Sequence, residues 1–144
     1  MADSYPLQIF NTTTLKLPCE EADCIKIFEF VAKHEQANFD SVEVAYVDEE
    51  EIIRVNKEFL QRDYVTDIIS FSYHEDDSDI EGTLYCCLPR IIDQAKEFDQ
   101  PIEKEFLRIL IHGLLHLIGY DDQTDAEKAE MTRLEDQYLS MFYE

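Results

Sequence analysis

From Phe106 to Ile118 the chain is almost continuously apolar: Phe106, Leu107, Ile109, Leu110, Ile111, Leu114, Leu115, Leu117 and Ile118 would cover nearly the whole circumference of a helix. A helix without a polar face belongs at the centre of its domain, with other elements packed around it. Pro101 marks its start, and Gly119 stands where a helix would end on a left-handed residue. Two histidines interrupt the run. His112 and His116 are four residues apart, a spacing that stacks two imidazoles one turn apart, within reach of a single metal ion. Beyond Gly119 the chain can reverse and return a third ligand, and Asp122 falls where that ligand would be, with Asp121 as a competing carboxylate. Two imidazoles and one carboxylate leave a fourth position open, the pattern of a catalytic rather than a structural zinc site.

Gly113 and Gly119 are two of only three glycines in the chain. A glycine inside a helix costs about 1 kcal/mol relative to alanine, so Gly113 implies that something approaches the backbone beside His112. The offsets of His112, His116, Gly119 and Asp122 match zinc peptidases that read His-Glu-x-x-His-x-x-Gly-x-x-His. Those enzymes use the Glu as general base. Gly113 holds that position here, so the metal geometry is kept while the peptidase chemistry lacks its proton acceptor.

The run His112-Gly113-Leu114-Leu115-His116-Leu117-Ile118-Gly119-Tyr120-Asp121 resembles the signature of the YbeY family, metal-dependent endoribonucleases of ribosomal RNA maturation. A second block is also similar to that family: Asn56-Lys57-Glu58-Phe59, then Asp63, then Thr66-Asp67-Ile68-Ile69-Ser70-Phe71. Gly82, Met131 and Glu135 are weaker echoes, and the resemblance spans about residues 42–135. It implies metal ligation by His112, His116 and Asp122, the last standing where the family has His, which favours Asp122 over Asp121. The family's functional Arg falls on Leu60; Arg62 is the nearest substitute and is assigned the catalytic cation, with Arg54 another candidate. Val65 replaces a family Pro. Arg54, Lys57, Thr66, Asp67 and Ser70 are assigned to substrate binding.

The implied activity is single-strand-specific RNA cleavage in ribosomal RNA maturation and small-subunit quality control, with ribosomal RNA and small-subunit components as partners. The implied cofactor is one Zn²⁺, with Mn²⁺ or Ni²⁺ as alternatives. Replacing a neutral imidazole by Asp122 lowers the net charge of a zinc centre from +2 to +1, which makes it a weaker Lewis acid and more hospitable to harder ions. Two rival readings share these ligands: a non-catalytic ribosome assembly factor whose metal clamps helix to loop, and a zinc peptidase-like hydrolase.

Thirty-three acidic against twelve basic residues give a net charge of −21. Affinity for nucleic acid grows with phosphate neutralisation by Lys and Arg, so DNA is not expected as a partner and free RNA should bind weakly. Arg54, Lys57 and Arg62 cluster in one segment as a candidate basic patch; Arg90, Lys96, Lys104 and Arg108 lie elsewhere.

A chain of 144 residues, free of repeats or linkers, reads as a single domain over 1–144. No apolar run approaches a bilayer span, and the first residues lack the basic and apolar regions of a secretory leader. Cys19, Cys24, Cys86 and Cys87 show no zinc spacing and read as thiols of a cytoplasmic protein, the vicinal pair pointing to opposite faces of a strand. Strands are predicted over Leu7–Thr13, Ser41–Val47, Asp67–Tyr73 (an inner strand) and Glu81–Leu88, with an acidic turn over His74–Asp79. Helices are predicted over Glu20–Gln36, after Asp48 (Ile52, Val55, Phe59), after Pro89 (Ile91, Ile92, Ala95, Phe98), after Pro101, and after a Thr124–Glu127 capping box (Met131, Leu134, Tyr138, Met141). The fold class is α+β: a small mixed four-stranded sheet, as the resemblance implies, with helices mainly on one side and a central buried metal-binding helix.

Overall fold

The structure, a computed structural model, describes residues 5–74 and 79–144. In chain order the elements are β1 (Leu7–Asn11), α1 (Glu21–Glu35), β2 (Phe39–Val47), α2 (Glu49–Leu60), β3 (Ile68–Ser72), β4 (Ile80–Cys87), α3 (Leu88–Glu97), α4 (Ile102–Ile118) and α5 (Asp125–Tyr143). The sheet order is β1-β2-β4-β3, with β1–β2 and β2–β4 parallel and β3–β4 antiparallel. It is the mixed four-stranded sheet that the family resemblance implies.

Alternation along the strands sends residues to two unequal faces. Val42, Val44 and Tyr46 of β2 and Leu84 and Cys86 of β4 join α1, α3, α4 and α5 in the main core. Val47, Ile69 and Cys87 face the other way, onto Ile52 and Val55 of α2. Cys86 and Cys87 therefore sit in different cores, and both are free thiols. Helices lie mainly on one side, as expected, with α2 alone on the second face.

Helix α4 is the centre of the main core. Phe106, Leu107, Leu110, Ile111, Leu114 and Leu115 are wholly buried, and Phe106 stacks on Tyr46 with ring centroids 4.7 Å apart. Gly113 is explained by this packing: a Cβ there would lie 2.7 Å from the side-chain ends of both Ile68 and Leu84. The close neighbour anticipated beside His112 is the sheet itself, which meets the helix where Gly113 leaves room.

Strand β3 differs from expectation. Among the described residues it is an edge strand, paired with β4 alone. Its β-branched and aromatic residues report two covered faces rather than two hydrogen-bonded neighbours: Ile68 packs toward α4 and Ile69 toward α2. Its free edge borders the cleft described below. Two apolar residues expected on helical stripes also lie out in solvent. Phe59 is 54% exposed and meets Phe71 edge-on, and Phe98 is 60% exposed because α3 stops at Glu97. β1 stops at Asn11, short of Thr13: the Asn11 side chain accepts hydrogen bonds from the backbone N–H and hydroxyl of Thr13 and closes a turn. The turn over His74–Asp79 lies mostly outside the described residues.

Candidate metal centre

Burial of α4 fixes the directions of its two histidines. The rings of His112 and His116 stand one turn apart, centroids 4.6 Å from each other, and both remain partly open to solvent. After Ile118 the helix is stopped by Gly119 at φ 126°, a conformation that side-chain-bearing residues rarely adopt. The N–H groups of Gly119 and Tyr120 both return to the carbonyl of Leu115, and this reversal carries Asp122 back over the histidines.

Three ligand atoms converge there. His112 Nε2 and His116 Nε2 are 3.1 Å apart, and Asp122 Oδ2 is 3.4 Å from each. Tetrahedral ligands at zinc bond lengths of about 2.0–2.2 Å stand roughly 3.3–3.6 Å from one another, so the two Asp122 distances match one face of such a site and the histidine pair sits slightly closer. Two ring nitrogens and a carboxylate oxygen pointing at one spot repel unless a cation or a shared proton lies among them. The donor set fits a divalent ion. Asp121 is used otherwise: its side chain accepts the backbone N–H of Asp122 at 2.9 Å and shapes the turn. Among the described residues, His112, His116 and Asp122 form the one group of three or more metal-type ligands close enough to share an ion.

Charged neighbours set the orientation of this triangle. α5 begins at the Thr124–Glu127 capping box and brings Glu135, almost fully buried, to within 2.7 Å of His112 Nδ1. With Nδ1–H donating to that carboxylate, Nε2 is left with its lone pair toward the ligand triangle, the usual carboxylate–histidine support of a metal site. Arg108 holds Glu135 at 3.0 Å and Asp136 at 2.6 Å. Burial pulls the pKa of His112 down, but the hydrogen bond and charge of Glu135, with Asp122 and Asp67, outweigh it and leave the imidazole more basic than usual. On the other flank the Tyr120 hydroxyl donates to Glu35 at 2.7 Å, and the Tyr138 hydroxyl donates to the second oxygen of the same carboxylate. Glu35 thereby ties the ligand-bearing turn to both α1 and α5. The hydrogen bond to Glu35, with burial, raises the Tyr120 phenol to about 12.

The His112–His116–Asp122 triangle opens into a cleft of about 520 Å³ walled by β3 and the loop after α2. Arg62, Thr66, Asp67 and Ser70 all line it, together with Asn56, Leu60 and Tyr64. Arg54 and Lys57 do not. Arg54 is clamped by Glu51 and Glu58 at 2.7 Å each and borders a separate concavity with Val47 and Tyr85. The expected basic patch of Arg54, Lys57 and Arg62 is therefore divided, because left-handed Gln61 turns the chain between the helix and Arg62. Sequence reasoning missed the tasks of Glu135, Tyr120 and Glu35. Glu135 carried a signal, since an acid between Met131, Leu134 and Tyr138 falls on the buried stripe of α5; the Tyr120–Glu35 pairing spans 85 residues and carried none.

A rigid helix presenting two imidazoles, a returning carboxylate and an adjoining cleft is the architecture of a small metal-dependent hydrolase. The family model described as Endoribonuclease YbeY matches residues 10–143, and the chain belongs to that family. Curated relatives named Endoribonuclease YbeY include one from Chlorobaculum parvum, 42% identical over 134 residues that cover 93% of each chain. One from Flavobacterium psychrophilum is 33% identical over 86% of this chain and 88% of its own. A solution structure from Thermotoga maritima superposes with a TM-score of 0.65 at 28% identity, covering 95% of this chain and 89% of that one.

Proposed function

We propose that this chain is a metal-dependent endoribonuclease that cuts single-stranded segments of ribosomal RNA during small-subunit maturation. The observation that carries the reading is the convergence of His112, His116 and Asp122 within 3.4 Å of one another, in a chain whose relatives bear the name endoribonuclease. Its working unit is one domain over residues 1–144, acting in the cytoplasm; no helix among the described residues is long and apolar enough to cross a membrane.

His112, His116 and Asp122 would hold one divalent ion, Zn²⁺ by its donor set with Mn²⁺ or Ni²⁺ as alternatives, which when bound would supply Lewis-acid chemistry for phosphodiester cleavage. Glu135 keeps the proton of His112 on Nδ1 and so keeps Nε2 free for ligation. Arg62, in the same cleft, opposes the negative charge that builds on the phosphate as it is attacked. The hydroxyls of Thr66 and Ser70 offer donors to phosphate or ribose, and the Asp67 carboxylate adds negative charge near His112. Arg54 and Lys57 have no task in the cleft and are dropped from the substrate-binding set. With Asp122 as a ligand the centre is less positive than a three-histidine site, which favours slower turnover and wider tolerance among metals.

The test is incubation of purified protein with an unstructured ribosomal RNA fragment and with casein, each with and without chelator. Cleavage of the RNA alone, abolished by chelator and restored by metal, is expected. Intact RNA in every arm would overturn the reading in favour of a structural metal, and digestion of casein in favour of a peptidase.

A further inference from the structure

The loop that walls the cleft carries an exposed aromatic ring on a fixed backbone. Tyr64 is 52% exposed and lines the cleft beside Arg62 and Leu60. Its backbone is held from beneath. Asn56, 1% exposed, donates from Nδ2 to the Tyr64 carbonyl at 3.0 Å, and the Asn56 carbonyl accepts the N–H of Arg62 at 3.2 Å. One buried residue thus ties the loop to α2 on both sides of Asp63. A ring presented on a pre-ordered loop can be covered by a ligand with little further loss of chain entropy.

The charge of the molecule says what such a ring is for. Among the described residues, Arg62 is the one Lys or Arg that lines the cleft, in a chain of net charge −21. A single cation gives little of the phosphate neutralisation on which most nucleic-acid binding rests. Base stacking on an aromatic side chain supplies affinity without charge, and does so for any base.

We propose that Tyr64 is the stacking platform for one nucleobase of a single-stranded RNA lying along the cleft beside the metal centre. The proposal rests on the endoribonuclease reading and gives it a source of strand selectivity. A base can lie on Tyr64 only after leaving the stack of a duplex, so loops and single strands are taken and paired RNA is refused. Little sequence preference follows, because every base has a π face.

The experiment is fluorescence anisotropy of chelator-treated protein with a labelled oligoadenylate and with an abasic ribose-phosphate strand of equal length. Cleavage kinetics on the metal-loaded protein run alongside. Wild type should prefer oligoadenylate. Tyr64→Ala should lose about tenfold in affinity for it, and nothing for the abasic strand, with a raised KM and nearly unchanged kcat. Tyr64→Phe should behave as wild type, and Phe98→Ala, which removes an exposed ring outside the cleft, should change nothing. Equal melting temperatures establish that the variants fold. Neither Kd nor KM moving in Tyr64→Ala would overturn the stacking role and leave the endoribonuclease reading intact. Wild type that neither binds nor cleaves RNA would overturn both.

Discussion

On the α4 side of the cleft His112 and the turn that carries Asp122 are steadied by side chains outside the triangle, whereas on the loop side the backbone is anchored and the side chains stand free. His112 leans on Glu135, Glu135 on Arg108, and the Asp122 turn hangs from Glu35 through Tyr120. Arg62 and Tyr64 are exposed, and what is bonded is their peptide groups, to Asn56. A metal site tolerates errors of only about 0.5 Å in its ligands, and charged braces give that precision. An RNA strand has many conformations, and side chains free to swing on a fixed loop can follow it. On the proposed function, the α4 wall would fix geometry and the loop wall would accommodate the strand.

Removing a brace should therefore damage metal binding more than any change on the loop. Glu135→Gln keeps the shape but removes the charge that orders the His112 proton. A 10- to 100-fold loss of metal affinity is expected, the usual cost of an outer partner, and can be read by competition with a chromophoric chelator. Unaltered affinity would mean that helix packing alone aims the ring. On the loop side, Arg62→Ala should lower kcat/KM by about tenfold, roughly 1.4 kcal/mol, with metal content unchanged. Arg54→Ala should be silent, since Arg54 lies outside the cleft and its two ion pairs are solvent-screened surface pairs. Equal effects of the two substitutions would erase the distinction between a cleft arginine and a paired one.

The braced wall was the more legible of the two. The apolar circumference of α4, the four-residue histidine spacing and the stop at Gly119 are local properties, whereas the preference for Asp122 over Asp121 came from the family resemblance. Gly113 was legible as a close approach, but the approaching atoms, Ile68 and Leu84, come from distant strands. β3 read as an inner strand because composition reports coverage of faces and is silent about hydrogen-bonded edges. Adjacency misled at Arg54, Lys57 and Arg62: three basic residues within nine positions suggest one patch, but a single left-handed residue, Gln61, separates Arg62 from the two on α2. Glu35 was out of reach, since nothing local to it or to Tyr120 announces their pairing.

That pairing offers a subtler test of bracing. Tyr120→Phe deletes one hydroxyl and leaves its ring and the Tyr138–Glu35 bond in place. A loss of about 1 kcal/mol in stability is expected, typical of one hydrogen bond, with a several-fold weaker metal affinity as the Asp122 turn loosens. A stability loss without any change in metal affinity would show the turn to be held by Gly119 and Asp121 alone.

A small, pH-dependent effect is expected at the foot of α4. Glu105 is buried in the first turn of α4, and its carboxylate accepts a hydrogen bond from Gln94 at 3.2 Å. Burial raises its pKa, against the smaller opposing pull of Gln94 and Arg108. The folded state therefore holds this proton more tightly than the unfolded chain. The associated stability is fully present below the ordinary carboxylate value and falls as pH rises through the raised one. Glu105→Gln keeps the shape and removes the titration. Comparing melting temperatures of the two proteins from about pH 5 to about pH 8 cancels the carboxylates they share, and the variant should gain on wild type as pH rises. A constant difference across that range would mean that Glu105 is as well accommodated charged as neutral, with Gln94 and Arg108 offsetting the whole cost of its burial. The base of α4 would then count as another braced position, like the His112–Glu135 pair above it.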